Sequence, residues 1–215
     1  MNYKAIALDF DGVVVESVGI KNKAFHMLFE RYSDHIEEIT AYHLSHNATI
    51  RYEKFKYITE KILGQVYDEP TKQRLCNEYS QYVVDQILKC PFVGGAVEFL
   101  KAFQKQVPLF MVSVNPPKEL DYLLKERGVR QYFREIYGYE WPKKDALIDI
   151  ASKENIEPAE IIFIGDSPED YQAAIDAGTQ FLGRDSGKPF PPDMKRLFVD
   201  LAEIQQYILT STLVK

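Results

Sequence analysis

Cysteine is scarce in this chain: Cys76 and Cys90 are the only two in 215 residues. A disulfide framework is thereby excluded, and two thiols, both expected to be buried, suit a reducing compartment. No stretch approaches the roughly 18 consecutive apolar residues of a membrane span. No secretory apolar segment stands before the first strand either, because Met1-Asn2-Tyr3-Lys4 leads directly into it. The expected location is cytoplasmic. Positive charge is also short, with 26 Lys and Arg against 32 Asp and Glu, a net charge of −6. With no basic stripe, a surface that tracks a nucleic-acid backbone is excluded. Internal repeats and low-complexity segments are missing as well. What is present, 46% hydrophobic and 13% aromatic residues, is enough to bury a core in one domain plus an insert.

Two apolar runs, Ala5–Leu8 and Ile161–Ile164, read as fully buried strands. Each empties into aspartates, Asp9-Phe10-Asp11-Gly12 and Gly165-Asp166-Ser167-Pro168-Glu169-Asp170, residues that weaken strands and are costly to bury unpaired. As isolated turns, the DG and GDS steps would need no function. Two carboxylate pairs delivered by buried strands to one sheet edge point instead to a divalent-cation site that works on an anion. Side chains alternate along an extended chain, so Asp9 and Asp11 face the same way if strand geometry persists. One is then placed to attack or ligate, the other to move protons, since like charges in close quarters separate their proton affinities. Gly12 permits the sharp exit.

A third apolar run, Pro108–Val112, ends in Ser113, and Asn115-Pro116-Pro117 opens a helix whose free amides favour anions. Lys143 starts an amphipathic stretch with apolar Leu147, Ile148, Ile150 and Ala151, where its charge opposes the helix dipole. Strands near 4–9, 108–113, 135–138, 160–165 and 179–182 alternate with helical patterns near 94–106, 117–127, 143–154 and 168–177. That alternation predicts an α/β fold, a doubly wound parallel sheet with helices on both faces. Ligands in such sheets bind beyond the carboxyl ends of the strands, where Asp9, Ser113 and Asp166 fall. Between the first two strands lies a helix-only block, with helices expected at Asn22–Tyr32, Tyr52–Leu63 and Pro70–Leu88. Its seven tyrosines are read as core packing.

The order Asp-x-Asp, Ser, Lys, Gly-Asp-Ser-x-x-x-Asp resembles the haloacid dehalogenase-like hydrolase superfamily, in its phosphoglycolate phosphatase and β-phosphoglucomutase-like branch. Asp9–Ser17 is similar to the first motif, Ser113 to the second, Lys143 to the third, and Asp166 with Asp170 to the fourth. Lys143 is preferred over Lys144 because its distance to Leu147 and Ala151 fits the family pattern; Val114 departs from the usual residue after the second-motif serine. The resemblance implies a Rossmann-like core at 1–17 and 91–215 and an inserted, mobile all-helical cap at 18–90. It further implies a Mg²⁺-dependent phosphatase acting on a small phosphorylated metabolite. In that scheme Asp9 is the nucleophile and Asp11 the general acid and base. Mg²⁺ is held by the Asp9 carboxylate, the Asp11 carbonyl and Asp166. Ser113, Asn115 and Lys143 bind the phosphate, and Asp170 orients Lys143 or a metal-bound water.

Rival readings are separable. A sugar phosphomutase shares every core motif and differs in the cap, and a non-catalytic phosphate-binding protein retains the motifs without turnover. A haloacid dehalogenase needs neither metal nor Asp11, and a phosphonate-cleaving enzyme replaces Asp11 by a small residue. A phospho-accepting receiver starts with its metal-binding acids, whereas here Asp166 and Asp170 come last. Within the cap, the turn His43–Phe55 gathers polar residues. Arg51 is the candidate contact for a second anionic or polyhydroxyl group of the substrate, with Asn47 or Lys54 assisting and Thr49 as helix N-cap. His43 and His46 have helical spacing, but no further Cys or His completes a zinc site.

Overall fold

In the computed structural model, which describes residues 3–46, 49–192 and 194–213, each buried apolar run becomes a strand of one sheet. The strands are β1 (Ala5–Leu8), β2 (Leu109–Val112), β3 (Glu135–Tyr137), β4 (Ile161–Gly165), β5 (Gln180–Arg184) and β6 (Leu197–Phe198). Their order is β3-β2-β1-β4-β5-β6, and every pairing is parallel. β1 is central, with Ala5–Leu8 opposite Ile161–Ile164 on one side and Ile6–Leu8 opposite Leu109–Met111 on the other. Chain order therefore reverses at β1, the switch point where ligands of such sheets bind.

β1, β2 and β4 are buried along their whole length, as strands covered on both faces must be. Alternation sends Ala5, Ala7, Phe110, Val112, Ile161 and Phe163 to one face. There they pack with Ala146, Leu147, Ile150 and Ala151 of α7 (Lys143–Glu154) and Ala174 and Ala177 of α8 (Pro168–Ala177). Ile148, expected on the apolar side of that helix, is 43% exposed. Asn155 in the left-handed region ends α7, and Gly178 does the same for α8.

The chain divides into two compact units. One comprises Met1–Glu16 with Cys90–Lys215, the other Ser17–Lys89. In the first unit the sheet is accompanied by α5 (Ala96–Phe103), α6 (Pro117–Glu126) and α9 (Leu201–Leu213) besides α7 and α8. β6 and α9 go beyond the elements expected from sequence; α9 buries Leu201, Ile204 and Ile208, and the Leu201 amide donates to the Gly94 carbonyl at 3.0 Å. The second unit is helical: α1 (Val18–Phe29), α2 (Ile36–Ser45), α3 (Arg51–Tyr57) continued by a π-helical turn at Ile58–Ile62, and α4 (Glu69–Lys89). Three of these answer the expected helices, and α2 is additional. Of the seven tyrosines only Tyr79 is buried, and Tyr57 is exposed. Both cysteines are half-buried rather than buried. No helix among the described residues is long and apolar enough to cross a membrane.

Candidate active site

β1 stops at Leu8, but the Asp9 amide still donates to the Ile164 carbonyl at 2.9 Å, so the backbone of Asp9 is fixed by the neighbouring strand. Beyond it the chain turns tightly: the Phe10 carbonyl accepts from Val14 at 2.9 Å, and the Gly12 amide donates to Val15 at 2.8 Å. Gly12 has φ 75°, where a side chain would be strained. Asp11 is thus placed by a turn and not by continued strand geometry, and the Asn115 side-chain amide donates to its carboxylate at 2.8 Å. Ser113 hangs from the end of β2, its backbone amide donating to the Tyr137 carbonyl at 2.9 Å and its hydroxyl accepting from the Asn115 backbone amide at 3.3 Å.

Lys143 opens α7 and reaches both acidic motifs. Its Nζ lies 2.8 Å from Asp9 Oδ2 and 2.5 Å from Asp170 Oδ1, whereas Lys144 is exposed. Burial works against the ammonium, but Asp170 and Asp9 outweigh it and hold the group above the usual lysine range. Asp170 also accepts from the Ser167 hydroxyl at 2.8 Å and the Asp166 amide at 3.1 Å, while its own amide donates back to Ser167. Ser167 caps α8, and Asp170 in its first turn ties that cap to Lys143.

Ligand oxygens of Asp9, Asp166 and Asp170 lie within 4.8 Å of one another, all buried. Burial pushes the Asp9 carboxyl up to about 7 against the pull of Lys143, with Asp170, Asp166 and Asp11 adding to the rise. Asp9, Asp11, Asp166 and Asp170 together face only two ammonium groups, Lys143 and Lys188, a shortage of positive charge. Hard oxygen donors with that deficit fit a Mg²⁺-type cation.

Two residues were not foreseen. Lys188, in the loop after β5, places Nζ 2.9 Å and 2.8 Å from the two Asp166 oxygens. Its signal was available: the strand-end rule that selects Asp9, Ser113 and Asp166 applies equally beyond β5. Arg184, at the end of that strand, donates to the Gly12 carbonyl at 3.2 Å and pairs with Glu16 at 2.5 Å, bracing the first turn. Arg51 belongs to the helical unit, where its guanidinium donates to Ser80 at 2.7 Å and lies over Tyr79. The N-cap of α3 is Ile50, not Thr49, and no side chain caps it. Lys54 contacts His43; Asn47 lies outside the described residues. His46 stacks on Tyr42 at the surface, apart from the buried His43.

The family model of the haloacid dehalogenase-like hydrolases matches residues 3–178. The chain belongs to the haloacid dehalogenase-like hydrolases. A phosphoglycolate phosphatase of Pasteurella multocida is 25% identical over 192 residues, covering 84% of this chain and 85% of that protein. One of Shigella boydii is 30% identical over 110 residues, 49% of this chain, and the match spans only 43% of that relative's length. A Bacillus subtilis protein of the same family, solved bound to magnesium, superposes with a TM-score of 0.72 at 17% identity, covering 97% of this chain and 99% of that one. At that identity the likeness establishes the fold.

Proposed function

We propose that this chain is a Mg²⁺-dependent phosphatase that hydrolyses a small phosphorylated metabolite in the cytoplasm through an aspartyl-phosphate intermediate. The observation that carries the reading is Lys143 joining Asp9 and Asp170 at 2.8 Å and 2.5 Å beside Asp166. A nucleophile, a fixed cation for phosphoryl oxygens and a cluster of metal-type ligands then meet at one sheet edge.

In this scheme the Asp9 carboxylate attacks phosphorus while the bond to the leaving oxygen breaks. The Asp11 carboxyl, oriented by Asn115, gives that oxygen its proton. Asp11 then takes a proton from water as the water oxygen attacks phosphorus, and the bond to Asp9 breaks, releasing inorganic phosphate. Ser113 and Lys143 hold the transferring oxygens, one by hydrogen bond and one by charge. Asp9, Asp166 and the Asp11 carbonyl would hold Mg²⁺, which would neutralise charge between anionic nucleophile and anionic substrate.

The test is release of inorganic phosphate from p-nitrophenyl phosphate by purified protein. The parent is expected to turn over only with Mg²⁺, and Asp9→Asn to lose about 10⁴-fold or more in kcat while melting like the parent. Appreciable turnover by Asp9→Asn, or by the parent in excess EDTA, would refute the assignment.

A further inference from the structure

Lys188 has no part in that scheme, yet its ammonium faces both oxygens of Asp166, at 2.9 Å and 2.8 Å. Asp166 is 1% exposed, so this is a nearly desolvated carboxylate with a cation drawn onto it. The loop that brings Lys188 is anchored beside Asp166 by a second, independent contact, since the Ser186 hydroxyl donates to the Asp166 carbonyl at 3.3 Å. A divalent cation ligated by Asp166 would need an oxygen that Lys188 now faces, and at carboxylate distance the two cations repel strongly.

The two lysines of the site differ in how readily they can give way. Lys143 is fixed in the first turn of α7 and bonded to two carboxylates, with 13% of its side chain exposed. Lys188 sits on a loop, bonds one carboxylate and has 22% of its side chain exposed, a path to solvent for a flexible stem. Ser186 would keep the loop docked when the ammonium swings out.

We propose that Lys188 is a displaceable counter-ion built into the metal site: it competes with the divalent cation for the Asp166 carboxylate and so sets the metal affinity of the protein. The inference rests on the metal-site reading above. When the cation enters, one cation replaces another on the same oxygens, and the ion pair to Lys188 opposes binding.

Calorimetric titration of the full chain with Mg²⁺, with melting in EDTA alongside, tests this. Lys188→Met and Lys188→Gln are expected to bind Mg²⁺ about tenfold more tightly than the parent, the effect of removing one charge-assisted contact. Both should melt below the parent in EDTA, since Asp166 then loses its cation. Lys188→Arg, which keeps the charge, should bind Mg²⁺ within about twofold of the parent, a small step on the affinity scale. Should the Met variant not fold, the Gln variant carries the test. A lysine with only a structural role would lower the melting temperature with affinity unchanged or weaker, and that result overturns the inference. If the parent shows no Mg²⁺ isotherm, or Asp166→Asn leaves it unaltered, the metal site itself falls and the inference with it. An isotherm that Asp166→Asn abolishes but neither neutral Lys188 variant tightens overturns the inference alone.

Discussion

Gly165 shows how one missing methyl sets the geometry of the candidate site. A Cβ there would lie 2.4 Å from Asp170 Cβ and 2.8 Å from Asp170 Oδ2, closer than real side chains approach. Asp170 cannot simply retreat, because it is tied to Ser167, the Asp166 amide and Lys143. Gly165→Ala must therefore shift the anchor of Lys143 and, through it, the lysine that faces Asp9. A displacement near 1 Å typically costs about 100-fold in rate, and overpacking removes about 1–3 kcal/mol of stability. The expected outcome is a kcat on p-nitrophenyl phosphate reduced by about that factor together with a lower melting temperature. A variant that melts lower with kcat unchanged would show that Asp170 does not position Lys143. In the sequence Gly165-Asp166-Ser167 reads as a turn; the need for glycine is set by the approach of a residue five places on, which only the fold reveals.

At the scale of elements, the helical unit is organised round His43, where α1, α2 and α3 meet. The ring stacks on Phe25 at 3.8 Å between centroids, and Nε2 lies 3.0 Å from Asn22 Oδ1. Lys54, which can only donate, stands 3.3 Å from Nδ1, so Nδ1 accepts and the proton resides on Nε2. Burial first, then Lys54 and Lys21, lower the His43 pKa from 6.5 to about 3. The unfolded chain binds a proton here below pH 6.5 that the native unit refuses until about pH 3, so this contribution to stability is complete above 6.5 and is lost as pH falls. At pH 5 the loss is on the order of 2 kcal/mol, about 4–8 °C in melting temperature for a chain of this size. His43→Gln, which does not titrate, is expected to melt less differently at pH 7 and pH 5 than the parent by about that margin. Identical pH dependence in the two proteins would refute it. Elements with long apolar runs, such as β1, β2 and β4, were legible because both their faces are covered. α2 was not, since only Ile39 and His43 of its ten residues are buried, too thin a stripe to show a helical period. β6 is two residues long and lies at the sheet edge, below the length at which alternation can be seen.

For the whole molecule, the candidate site residues fall unevenly over the two compact units. Asp9, Asp11, Ser113, Asn115, Lys143, Asp166, Asp170 and Lys188 all belong to the unit that carries the sheet; the motif order singles out six of them, and the helix start behind Ser113 adds Asn115. Arg51 and Lys54 belong to the helical unit, where no motif guides the reading and chemistry must be judged residue by residue. Arg51 stands in the first turn of α3, where its charge opposes the helix dipole; contact with Ser80 at 2.7 Å and the Tyr79 ring hold its guanidinium in a defined orientation. We propose that this planar fork reads a second anionic group on the substrate. Arg51→Ala should then raise KM about tenfold or more for a phosphorylated metabolite with a second carboxylate or phosphate, the weight of one charge-assisted contact. On p-nitrophenyl phosphate, which offers no such group, kcat/KM should change less than about twofold. Arg51→Lys, which keeps the charge but loses the fork, should fall between the two. Losses of equal size on both substrates would assign Arg51 to the stability of its own unit, and no loss on either would assign selection to other residues.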